Sequence, residues 1–118
     1  MPNPIVHWEI ASSDDSKAHN FYHNVFGWKI DANNPMNYGM VDTGGGGING
    51  GIYKDEKGKP HLTFYIAVDD LHAYLQKIEK AGGKTAMPPT DIPGVGQSAF
   101  FKDPDGLVVG LFKPLPGM

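Results

Sequence analysis

Alternating apolar and polar positions mark a strand close to the start of the chain. In IVHWEI (residues 5–10), Val6, Trp8 and Ile10 fall on one face and Ile5, His7 and Glu9 on the other. The first face suits a core. The second sets an imidazole beside a carboxylate, next to an isoleucine. The pattern then changes period. Ser12, Ser13 or Asp14 can cap a helix in which Ala18, Phe21, Tyr22, Val25 and Phe26 recur at helical spacing, and Gly27 is a natural stop. On that stripe Phe21, Tyr22, Phe26 and the following Trp28 read as core, while His19, His23 and His72 read as solvated. WKI, NYGMVDT and INGGIY follow as three strands with glycine-rich punctuation, and KDEKGKP is a charged surface connector.

The order then begins again. HLTFYIAV is a strand, and DDLHAYLQKIEKAGG is a helix capped by Asp69 or Asp70, with Leu71, Tyr74, Leu75 and Ile78 as its apolar stripe. KTAM reads as a short strand and PPTDIPGVG as a loop. QSAFFK and LVVGLF flank the tight-turn sequence DPDG and predict a hairpin. The two halves share the order strand, helix, three strands, with Ile10-Ala11 over Ile66-Ala67 and Gly27 over Gly83. The pattern predicts an α+β domain of two βαβββ units spanning 1–118. The units cover residues 4–53 and 61–113, joined by a linker at 54–60. Two such sheets facing one another would form a cleft, with His7 and Glu9 looking into it.

Composition narrows the chemistry. The 118 residues include no cysteine, so disulfides and thiolate metal sites are excluded and any metal needs His, Asp or Glu. The net charge of −3, with acids and bases interspersed, gives no nucleic-acid stripe and no basic membrane patch. No run of about 18 apolar residues occurs, so no membrane-spanning helix is expected. The first residues show no basic segment or long apolar run of a signal peptide, and a cytoplasmic protein is expected. GGGING (45–50) matches G-x-G-x-x-G, yet GIYKDEKGKP after it is no helix, so a dinucleotide site is not expected.

FYHNVFGWKI after a capped helix, GINGGIY, and DIPGVGQSAFFKDPDG running into LVVGLF resemble the vicinal oxygen chelate superfamily. That group holds glyoxalase I, bleomycin-resistance proteins and extradiol dioxygenases. The likeness is strongest to small bacterial proteins related to lactoylglutathione lyase, and it covers about residues 4–113. The resemblance implies the paired βαβββ fold, a homodimer, and in the enzymes a divalent metal held by four strand residues. Those positions fall on His7, near Gly50, on Thr63 and on Gly110. Only His7 is a competent ligand among them, so no metal cofactor is expected at the usual site. A shifted metal site of His7, Glu9 and His61 is the alternative set.

By alternation Thr63, Tyr65, Ser98, Phe100, Gly110 and Phe112 share a face. With Ile5, His7, Glu9, Met40, Gly50, Ile52 and His61, and with Tyr38 closing one end, they make an aromatic pocket for a small molecule. There the missing side chains of Gly50 and Gly110 would widen the cavity. His7 and Glu9 are the candidate catalytic pair. Two functions remain open. One is an enzyme binding and transforming a small organic molecule without the usual metal. The other is a non-catalytic protein that sequesters such a molecule, as bleomycin-resistance members do.

Overall fold

The computed structural model describes residues 2–115. Its elements run β1 (Ile5–Ser12), α1 (Asp15–Phe26), β2 (Lys29–Asp31), β3 (Gly39–Asp42), β4 (Gly50–Lys54), β5 (His61–Ala67), α2 (Leu71–Lys80), β6 (Lys84–Ile92), β7 (Gly96–Lys102) and β8 (Val108–Pro114). The fold is α+β, with the βαβββ order occurring twice. His7–Thr63 form one compact unit, and the chain from Phe64 onward forms the other together with the first residues through Val6. The amide of Ala67 accordingly donates to the Pro4 carbonyl at 2.9 Å.

Each unit has the same internal pairing. In the first, β1 runs parallel to β4, which pairs antiparallel with β3, and β3 with β2. In the second, β5 runs parallel to β8, which pairs antiparallel with β7, and β7 with β6. A parallel first and last strand needs a crossover, and the helix of each unit provides it. The caps correspond too. Asp14 accepts from the amide of Lys17 and Asp70 from that of Ala73, both at 3.1 Å, so the aspartate is the cap in each case. Gly27 ends α1 in the left-handed conformation at φ 74°.

The two helices differ in how they pack. Leu71 and Leu75 of α2 are buried with Val68, Ala99 and Leu111, and Ile66, Tyr74, Ile78 and Phe101 flank that core. No residue of α1 is buried. Phe21, Val25 and Phe26, read as core from their spacing, are each more than half exposed. The helix is rolled so that Asp15, Ala18, His19 and Tyr22 turn inward instead. His19, expected in solvent, lies half-buried with its ring against Gly39, a position with no side chain to hold it off. Tyr22 and Trp28 are half-buried and stack at 5.2 Å and 8°, and Trp8 lies 5.2 Å from Trp28.

The segment PPTDIPGVG is also corrected. Strand β6 runs through Pro88 and Pro89 to Ile92, not stopping after KTAM. It is the outermost strand, where one side needs no amide donors, and its register shifts between Thr85 and Met87 and between Met87 and Thr90 absorb the prolines. Among the described residues no helix is long and apolar enough to cross a membrane.

The contrast between the helices is measurable. Leu71→Ala should cost about 2–5 kcal/mol in urea unfolding, as a core leucine does. Val25→Ala, at an apolar position of the other helix that is 58% exposed, should stay within about 0.5 kcal/mol.

Candidate functional site

The first unit presents two faces. Glu9 pairs with Gly51, and Gly51 with Met40, so these lie on one side together with His7, Tyr53 and Asp42. Ile10, Ile52 and Gly39 make the next row and face α1, whose His19 lies against Gly39. The expected placement of Ile52 with His7 is therefore wrong by one residue of phase, whereas Gly50 lines a cavity together with His7. Gly51 is the glycine beside Glu9, and Ile52, fully buried, belongs to the helix side.

Nor do the glycines widen a cavity. A side chain at Gly50 would overlap the Trp8 ring, one at Gly51 the Tyr38 ring, and one at Gly110 the Tyr65 ring. Each vacancy is filled by an aromatic ring. Trp8 is fixed there by its indole nitrogen, which donates to the Ile48 carbonyl at 2.8 Å.

Tyr38 is the centre of the face opposite α1. Its hydroxyl donates to Glu9 Oε2 at 2.8 Å and lies 2.8 Å from His7 Nε2. With its own proton on the carboxylate, the hydroxyl accepts from the imidazole, which places the proton of neutral His7 on Nε2. The Tyr38 backbone is clipped on both sides by Asn34. Its amide donates to Asn34 Oδ1 at 2.9 Å, and its carbonyl accepts from Asn34 Nδ2 at 2.7 Å. Tyr53 stacks on the Tyr38 ring at 6.1 Å and 17°.

Burial lowers the His7 pKa from its ordinary value of 6.5, and the Glu9 charge offsets this only in part, so the ring is neutral at neutral pH. Burial raises the Tyr53 pKa, and the charges of Glu9 and then Asp55 push it the same way. Beside His7 an open cavity of about 440 Å³ is lined by Met40–Asp42, Asn49, Gly50 and the β2 residues Lys29–Asp31.

In the second unit Tyr65, Gly110 and Phe100 form one row, and Ser98 and Phe112 the next, on the side away from α2. Thr63 precedes Tyr65 on the same face of β5 and is half-buried. Tyr65 and Ser98 are buried, and Tyr65 meets Phe100 edge-on at 5.5 Å and 61°. Ile5 and Met40 are largely exposed.

The metal-ligand set implied by the resemblance does not fit these residues. Past His7 it meets a threonine and two glycines whose side-chain space holds the Trp8 and Tyr65 rings. His61, of the alternative set, is exposed with Nδ1 2.9 Å from the Lys59 carbonyl. Among the described residues no three His, Asp or Glu side chains group as a metal site.

Sequence reasoning missed Asn34, Gly51 and Tyr53. A correct phase for β4 would have put Gly51 and Tyr53 beside His7 and Glu9. Asn34 carries no such signal, because its role is set by a loop.

The Glyoxalase/Bleomycin resistance protein/Dioxygenase superfamily model matches residues 4–111. The chain is 35% identical over 120 residues to "Putative glyoxylase CFP32" of Mycobacterium bovis, covering 89% of this chain and 43% of that protein. It thus spans less than half the length of that relative. It is 30% identical over 123 residues to a Vibrio cholerae protein named "Probable lactoylglutathione lyase", covering 92% and 89% of the two. Among solved structures, hypothetical protein BH1468 from Bacillus halodurans matches with a TM-score of 0.75 over 100% of this chain and 99% of that one. Its identity of 14% makes this a likeness of fold.

The depressed His7 pKa has a thermodynamic signature. The unfolded chain holds this proton more tightly, so the contribution of neutral His7 is present above pH 6.5 and is lost as pH falls through the lower folded value. Unfolding free energy measured at pH 7.5 and at pH 5 should fall toward acid, and less steeply in His7→Gln. Identical slopes in both proteins would show that the burial of His7 is not felt.

Proposed function

This chain belongs to the glyoxalase/bleomycin resistance protein/dioxygenase superfamily, and from that premise we propose that it binds a small organic molecule on the face of its first unit opposite α1. The cavity beside His7 receives the molecule, with no divalent metal at the superfamily's ligand positions. One observation carries this reading: the Tyr38 hydroxyl is hydrogen-bonded to both His7 and Glu9. An apolar cavity edged by a polar network held in one arrangement is the usual make-up of a small-molecule site. Ile30, Met40 and Val41 give the cavity its apolar surface, and His7, held by the Tyr38 hydroxyl, meets the polar end of the ligand.

Sequestration needs nothing beyond this binding. A second reading, catalysis by His7 as a general base, is favoured by its lowered pKa, since a base must be unprotonated at working pH. In that reading Tyr38 and Glu9 hold the imidazole in one tautomer. We place the protein in the cytoplasm as a homodimer, because the exposed Phe21, Val25 and Phe26 give one helix an apolar face suited to a second copy.

A thermal-shift screen of small aromatic carbonyl compounds and phenols tests the site. Tyr38→Phe keeps the ring on Gly51 but removes the hydroxyl. A compound that stabilises the wild type should bind about tenfold more weakly to this variant, the worth of one charge-assisted hydrogen bond. Equal shifts in wild type, Tyr38→Phe and His7→Ala would remove the network from the binding site.

A further inference from the structure

On the other face of the first unit, a second cavity of about 410 Å³ lies beside α1, lined by His19, Asn20, His23, Lys29 and Ile30. His19 and His23 are four residues apart, so their side chains stand one above the other on the same side of the helix. This is the spacing at which two imidazoles share one metal ion on a helix. Each ring already has one nitrogen engaged with a backbone carbonyl. His23 Nδ1 lies 2.8 Å from the Trp28 carbonyl, and His19 Nε2 lies 3.4 Å from the Ile52 carbonyl. A carbonyl accepts only, so each of these nitrogens carries the proton in the neutral ring. The other nitrogen, His23 Nε2 or His19 Nδ1, then carries a lone pair. Donation from one ring nitrogen to a carbonyl is how metal-binding histidines are oriented.

We propose that His19 and His23 form a two-imidazole site for a divalent transition ion of the copper, nickel or zinc type, with the Asn20 amide oxygen and water completing its shell. The surroundings allow a cation. Lys29, the one lysine of the lining, stands opposite Asp42 in the strand register, where unlike charges offset one another. Gly39, which any side chain would make collide with His19, lets the ring settle against the sheet, so its orientation is set by packing. The site is separate from the His7 network and does not depend on the function proposed above.

Copper heads the affinity order for nitrogen ligands and serves as the probe. Cu²⁺ alone, titrated into the full chain by calorimetry, should bind at one ion per chain, with two imidazole nitrogens visible in the EPR spectrum. His23→Gln, at an exposed position, and His19→Gln should each weaken binding by at least the ~10-fold that even outer-shell changes cost. His7→Gln should bind as wild type does. Circular dichroism checks that each variant is folded, and the exposed His23 keeps the test decisive if His19→Gln is not. Wild-type affinity in His23→Gln, or loss of binding in His7→Gln instead, would overturn the assignment.

Discussion

Two adjacent glycines in β4 decide what the first unit can be. Successive strand residues point to opposite faces, so Gly50 and Gly51 leave one vacancy on each side of the same strand. The Trp8 ring fills the one toward α1, and the Tyr38 ring fills the one on the opposite face. With either glycine replaced, a ring must leave. On one side that frees the aromatic stack of Trp8, Trp28 and Tyr22. On the other it moves the hydroxyl that joins His7 to Glu9. The helix packing and the polar network are thus two consequences of one absence of bulk.

The second unit uses the same device once. Tyr65 lies on Gly110, its strand partner, and meets Phe100 edge-on. The repeat preserves how a ring is seated and changes what surrounds it. In the first unit the seated ring carries its hydroxyl to an imidazole and a carboxylate.

Much of this is legible in the sequence alone. The strand and helix order, the doubled βαβββ plan and the DPDG hairpin follow from period and turn chemistry, which are local. The failures were failures of phase and of context. Ile52 reads as a neighbour of His7 because the glycines before it give no polarity by which to phase the strand, and a slip of one residue exchanges the faces. Phe21 and Val25 were placed inward because spacing gives the width of an apolar stripe but not the roll of the helix. That roll is set by the contact of His19 with Gly39, a residue distant in sequence. Pro88 and Pro89 signalled a loop because their tolerance in β6 depends on its being outermost. His7 and Glu9 were found from alternation alone, whereas Tyr38 joins them through a loop whose clip by Asn34 has no periodic signature.

That outer strand also bears on whether one molecule's sheet can extend into the next. An outermost strand normally offers a ladder of amide donors to any extended segment that drifts alongside, which is how sheets grow from one molecule into the next. In β6 two consecutive prolines delete donors, and two register shifts break the spacing of those that remain. Fibril-like growth by strand addition at that border is thereby blocked without any charged guard residue at the prolines themselves.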